Sequence, residues 1–212
     1  MFIKKRALLL GDYENANWHP LKEVDKEISE ILMDEISVFP TEDYGDLKLE
    51  DFMKYDMVIL YVDQWEKKAN KELISALLSF ACQGGAILAL HNGIILPNSY
   101  ELSQMLGAKF TGHPEHRLLK YIVTAPEHII MEGIEKFEMD EEPYQFAFDP
   151  FTEKVMLLEF TSEEKQWPGA WAQEYGKGKI VYLSPGHNAA SFKNEMYRKL
   201  VLRSSKWSMG LI

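Results

Sequence analysis

Two uninterrupted apolar runs, "MVILYVD" (57–63) and "AILALH" (86–91), constrain this chain more than any other feature. Each is too short for an ordinary helix, and neither alternates polar with apolar positions. That is the pattern of a strand buried on both faces, as in the middle of a parallel sheet. Between them lies "KANKELISALLSFACQGG", with Leu73, Leu77 and Phe80/Ala81 along one side and Gly84-Gly85 as a stop. The unit therefore reads strand–helix–strand.

The same logic extends in both directions. "KRALLLG" (5–11) is a further buried strand, "HPLKEVDKEISEILMDE" carries a helical apolar stripe, "ISVFP" is a strand, and "LEDFMKYD" and "SYELSQML" are short helices. Up to residue 107 the order is β-α-β-α-β-α, which calls for a parallel sheet with helices on both faces. Beyond it come the strands "LLKYIVTA", "KVMLLEFTS", "AWAQEY" and "KIVYLSPG" with little helix between them. The last two are joined by the tight hairpin connection "YGKGK", and an amphipathic helix, "SFKNEMYRKLVLRSSKW", closes the chain. The expected fold is α/β: a flavodoxin-like three-layer sandwich with a mostly parallel central sheet and a C-terminal antiparallel strand elaboration, one domain over residues 1–212.

Composition excludes several classes. At 46% hydrophobic residues the chain buries a core without disulfides or metal, and its one cysteine, Cys82, forms no intrachain disulfide and fits a reducing compartment. The start, "MFIKKRALLLGDYENAN", mimics a signal peptide, but its apolar run is too short for one. No segment approaches the roughly 20 apolar residues that cross a bilayer. A net charge of −10 with scattered basic residues argues against nucleic acid and anionic membranes. The expected location is cytoplasmic.

Polar residues collect at the strand ends, where open α/β sheets bind ligands. Asp12 follows the first strand, Asp63 the 57–62 strand, His91 the 86–90 strand, and His187 the run "IVYLSPG". "LALHNGI" has the form of a strand-turn-helix elbow that presents a catalytic side chain, with Gly93 permitting close backbone approach. His91 is the candidate general base, since an imidazole with a pKa near 6.5 is half-poised at working pH. His187 in "SPGHNAAS" and Glu142 in the acidic run "FEMDEEPYQF" are the candidates for proton shuttling or orientation. His113, on the rigid turn of "FTGHPEHR", His19, in "NWHP", and Asp12 are candidates for substrate contact, whereas His116 looks solvated. His128 fits the start of a short helix. Trp18, Trp167 and Trp171 offer flat rings that suit sugar C–H faces, and Trp171 is the candidate platform.

Four histidines and a carboxylate also raise a metal site, but no His pair stands at i,i+4 on a helix and neither HExxH nor CxxC occurs. GxGxxG and GxxxxGK[ST] are absent too. The expectation is no metal and no cofactor, with a metal-dependent hydrolase whose ligands come from distant loops as a third reading.

With these residues in view, the chain resembles the ThuA-like (trehalose utilisation) family of the class I glutamine amidotransferase-like superfamily. The pieces that carry the resemblance are "ALLLGDYENANWHP", "YDMVILYVD", "QGGAILALHNG", "MLGAKFTGHPE", "FEMDEEPYQF" and "PGAWAQEYGKGKIVYLSPGHN". It implies a flavodoxin-like fold with its elbow at His91, and recurrent polar positions at His91, His113, Glu142 and His187. Glutamine amidotransferases carry a cysteine at that elbow. Here Cys82 lies on the helix before it, so amidotransfer is not carried over. The family is linked to breakdown of trehalose and related disaccharides, through oxidised (3-keto) sugars. The implied partner is a small-molecule carbohydrate, with homo-oligomer formation through an apolar helix flank left open. A non-catalytic sugar-binding or regulatory module on the same scaffold is the competing expectation.

Overall fold

The computed structural model describes residues 4–65, 69–95 and 99–212. In its first half the elements are β1 (Lys5–Gly11), α1 (Val24–Leu32), β2 (Ile36–Thr41), α2 (Leu49–Phe52), β3 (Met57–Tyr61), α3 (Lys71–Cys82), β4 (Ala86–Leu90) and α4 (Tyr100–Leu106). They continue with β5 (Ala108–Gly112), β6 (Arg117–Val123), β7 (Phe137–Glu141), β8 (Gln145–Phe148), β9 (Lys154–Ser162), β10 (Lys165–Tyr175), β11 (Gly178–Leu183) and α5 (Glu195–Ser208). A nine-stranded sheet runs β2-β1-β3-β4-β11-β10-β9-β6-β7, and β5 and β8 pair separately. The strands β2, β1, β3, β4 and β11 are parallel, while the β11–β10, β10–β9, β9–β6 and β6–β7 pairs are antiparallel. This is the expected flavodoxin-like order with an antiparallel extension.

The two apolar runs that open the chain's logic do sit inside. Met57, Ile59 and Tyr61 of β3 join the core beneath α1 and α5, whereas Val58, Leu60 and Val62 join the core beneath α3 and α4. Leu88 and Leu90 of β4 go one way and Ile87 and Ala89 the other. Asn70 caps α3 by accepting the N–H of Leu73 at 2.7 Å, and Ser99 caps α4 in the same manner. Three strands escape the sequence reading: β5, β7 and β8. The last helix also begins later than its periodicity suggests, because Asn194 caps it by accepting the Tyr197 N–H. Among the described residues no helix is long and apolar enough to cross a membrane.

One expectation is corrected here. Trp171 is fully buried, packed between Phe146, Phe148 and Tyr182, with its indole N–H donated to the Leu106 carbonyl at 2.8 Å. Strand alternation in β10 turns it toward α3 and α4, so it is a core residue and offers no ring to a ligand.

The β4 exit is the tightest point of the frame. His91 sits at φ 42°, a left-handed conformation that costs a non-glycine residue about 1–3 kcal/mol. A Cβ on Gly93 would stand 2.2 Å from the Leu60 carbonyl oxygen, so only glycine lets the turn close against β3. Gly93→Ala is expected to lower the unfolding free energy by about 2 kcal/mol or more in urea titrations. Trp171→Phe is expected to lower it by a similar amount, about 1–3 kcal/mol, while leaving ligand binding intact.

Candidate metal centre

Strand ends far apart in sequence meet in one hollow. The loop after β1 carries His19, β3 is followed by Asp63, β4 by His91, and β11 by the segment from Ser184 to His187. The remaining contributor is the end of β7, at the far edge of the sheet. The antiparallel strands bring it back over β11, where the Glu141 carboxylate accepts the N–H groups of Gly186 at 3.2 Å and His187 at 3.1 Å. Glu142, the next residue, then points among the imidazoles.

The hydrogen bonds fix which ring nitrogens carry protons. His91 Nδ1 lies 2.7 Å from the Ser184 carbonyl oxygen, which can only accept, so the proton is on Nδ1. Burial drives the His91 pKa down to about 4, so the ring is neutral near pH 7 and its Nε2 is bare. That nitrogen faces Glu142 Oε2 at 3.2 Å. Two acceptors thus stand at contact distance with no proton between them. His19 is held in a similar way, its Nδ1 donating to Asp63 Oδ1 at 3.0 Å and its Nε2 lying 3.4 Å from the same Glu142 Oε2. His187 Nδ1 lies 3.3 Å from that oxygen and has no hydrogen-bond partner.

This is a donor set for a cation. The four groups each offer one atom, all within 4.8 Å of one another. Around a tetrahedral ion with bonds of about 2.0–2.1 Å, neighbouring donors stand about 3.3–3.4 Å apart. The separations from Glu142 Oε2 are 3.4 Å for His19, 3.2 Å for His91 and 3.3 Å for His187. Three imidazoles and a carboxylate suit a divalent ion of the zinc class. Asp63 and the Ser184 carbonyl, each holding the outer nitrogen of a ligand ring, are the outer-shell partners such sites use.

Charge in the hollow follows from these contacts. Burial raises the Glu142 pKa, but the rings of His187, His19 and His91 outweigh it and hold the carboxyl well below its ordinary range. Burial lowers the His19 pKa, yet Asp63 and Glu142 overcome it and the net shift is upward. Asp63 is held down, against burial, by His19, the Trp18 N–H and the Trp65 indole. Glu141, sealed in the interior, is pushed up to about 7 by burial.

The sequence candidates divide accordingly. His91, His187 and Glu142 converge, and His19 joins them as a fourth donor where a substrate contact was expected. The expectation of no metal rested on local spacing, which cannot detect donors that distant loops assemble. His113 stands exposed at the rim, with Nε2 3.9 Å from Glu142 Oε1. Its Nδ1 donates to the Pro114 carbonyl at 2.8 Å, so its Nε2 lone pair is free to face the hollow. Asp12 is taken up by the scaffold: it accepts from Tyr44, Gln64 and the Asp63 N–H, tying the ends of β1 and β3 together. His116, read as solvated, is exposed, with its ring 5.0 Å from that of His187 and its Nδ1 3.1 Å from Asp140 Oδ1. The exposed tryptophan beside the cluster is Trp18, adjacent to His19 and 70% exposed. Asp63 and Glu141 carry roles that the sequence reading did not assign. Their signals were a carboxylate closing an apolar run and the alternation Phe137, Met139, Glu141.

Comparison with known proteins agrees with this architecture. The ThuA family, described as trehalose utilisation, matches residues 7–208. Among solved structures the chain is similar to a protein described as ThuA-like from Parabacteroides merdae, with TM-score 0.82 and 15% identity over 98% of this chain and 90% of that one. A second protein described as ThuA-like, from Bacteroides uniformis, gives TM-score 0.74 and 16% identity over 98% and 94% of the two chains. A cytoplasmic protein from Salmonella typhimurium gives TM-score 0.69 and 13% identity over 96% and 99%. At these identities the likeness is one of fold. No curated protein matches the sequence.

Purified without a polyhistidine tag, the protein is expected to hold about one equivalent of zinc by elemental analysis, and Glu142→Gln to lose most of it. Asp63→Asn, which removes the charge of the outer partner of His19 and weakens its bonds to the Trp18 N–H and the Trp65 indole, should weaken zinc about 10–100-fold in competition with a fluorescent chelator. The affinity should fall as pH drops. Ligand rings must be unprotonated, and His19, with its pKa above the ordinary 6.5, is the ring that protons reclaim first.

Proposed function

The chain belongs to the ThuA (trehalose utilisation) family, and on that premise we propose that it is a metal-dependent enzyme of carbohydrate metabolism acting on a disaccharide or keto-sugar. The observation that carries this reading is the convergence of His19, His91, His187 and Glu142, whose donor atoms lie within 4.8 Å of one another, with His91 Nε2 3.2 Å from Glu142 Oε2. His19, His91, His187 and Glu142 hold the ion. With four protein donors, a zinc-class ion here would have to take a fifth ligand to polarise a carbonyl or hydroxyl oxygen or to lower the pKa of a bound water.

The proton work falls to His113. His91 is sealed off, neutral and fully engaged at both nitrogens, so the role of general base assigned to it on sequence grounds passes to the rim. His113 has its proton fixed on Nδ1 by the Pro114 carbonyl, leaving Nε2 available to a substrate hydroxyl or to the carbon-bound proton next to a keto group. Glu142 Oε1, on the His113 side of the cluster, can accept a hydrogen bond from the same substrate group. Trp18, exposed beside His19, offers the sugar a flat face in place of Trp171. Similarity to a cytoplasmic protein and the single cysteine support a cytoplasmic location.

One observation favours a second reading. The raised pKa of His19 suits an imidazolium between Asp63 and Glu142, which is a metal-free acid/base site. Chelation separates the two. With trehalose and 3-keto-trehalose as test substrates, turnover should disappear after treatment with a strong chelator and return with zinc. His113→Gln should keep the metal and lower kcat about 10²–10⁴-fold. Full turnover in metal-free protein would overturn the metal-dependent reading, and binding of either sugar without turnover would favour a non-catalytic module.

A further inference from the structure

Beside the metal centre lies a cleft of about 490 Å³ whose walls are aromatic. Trp65 and Phe110 form the partition between the two. The Trp65 ring is 6.1 Å from that of His19, Phe110 is 6.1 Å from His113, and the two partition rings meet edge to face at 5.3 Å. On the far side Tyr100, Phe148 and Phe151 complete the lining, and Tyr100 and Phe151 leave 74% and 85% of their surface uncovered. Exposed aromatic rings gathered at the mouth of an apolar cleft mark a binding surface rather than core filling.

The polar groups of the cleft decide what it can take. Ser99 spends its hydroxyl on Glu101 and on the Leu102 N–H as the cap of α4. Asp149 accepts from Thr152 and from the Phe151 N–H. The other polar lining residues, Ser103, Gln104 and Lys109, stand among the aromatic rings, so a group buried here meets mainly apolar faces with a few polar groups beside them. A flat apolar ring loses nothing on entry and gains contact with five aromatic faces.

We propose that this cleft is a subsite for a planar apolar group attached to the sugar, so that the preferred ligand is a glycoside with an aromatic aglycone. The inference rests on the reading of the neighbouring hollow as a sugar site, since the partition residues Trp65 and Phe110 place the two side by side.

The test compares methyl β-D-glucopyranoside, phenyl β-D-glucopyranoside and sugar-free 1-naphthol by isothermal titration calorimetry on the zinc-loaded protein. The phenyl glycoside is expected to bind about tenfold tighter than the methyl one. Ser103→Phe, which fills the cleft from α4, should erase that preference and leave the methyl glycoside and zinc unchanged. Tyr100→Ala and Phe151→Ala remove exposed rings that the fold does not need, and each should reduce the preference severalfold. Equal affinities for the two glycosides in the unmodified protein, or a preference that survives Ser103→Phe, would overturn the proposal. If neither glycoside binds while naphthol binds and is excluded by Ser103→Phe, the cleft stands as an aromatic site and the sugar reading falls. Absence of all three would remove both.

Discussion

The site depends on where the protons of a few imidazole rings are held. The Ser184 carbonyl, the Asp63 carboxylate and the Pro114 carbonyl each accept a hydrogen bond from one ring nitrogen, of His91, His19 and His113 respectively. Because these groups cannot donate, each fixes a proton on the nitrogen it faces and turns the opposite nitrogen inward. The lone pair of His91 and the Glu142 carboxylate repel one another unless a cation lies beside them. The fold bears that repulsion because two of the rings are buried and cannot turn away.

Holding the rings there costs the backbone. His91 adopts a left-handed φ at the end of β4, and Gly93 passes so close to Leu60 that no side chain fits. Burial of β3 and β4 on both faces offsets this strain, since moving the turn would disturb the cores beneath both helix layers. Tyr144, stacked on His91 at 4.1 Å, closes the hollow from the β8 side. The antiparallel extension has a distinct part in this. It returns the end of β7 to β11, so that Glu141 anchors the loop of His187 while Glu142 supplies the common oxygen.

Much of the frame is legible in the sequence. The apolar runs of β1, β3, β4 and β11 are continuous because both faces are covered, and the helices between them show their periodicity. His91 and His187 stand out as polar residues directly after such runs. Elsewhere the local signal misleads. Trp171 looks like a sugar platform because its segment is rich in aromatic residues, yet strand alternation turns it inward onto Phe146 and Tyr182. The segment "FEMDEEPYQF" yields Glu142 but hides its two strands, because β7 and β8 are short and one side of β7 faces solvent. His19 and His116 have ordinary loop contexts, and nothing next to them in the chain indicates the rings they approach.

The sequence by itself determined the parallel strands, the helices that cover them and the strand tips at which polar residues cluster, because hydrophobic periodicity and capping act over a few neighbouring residues. Only the tertiary structure decided that His19, His91, His187 and Glu142 share one point. That convergence depends on strand order and on the path of the antiparallel extension, which brings together groups up to 168 positions apart in the chain. A coordination set of this kind is a property of directions in space, and residue spacing along the chain does not encode it.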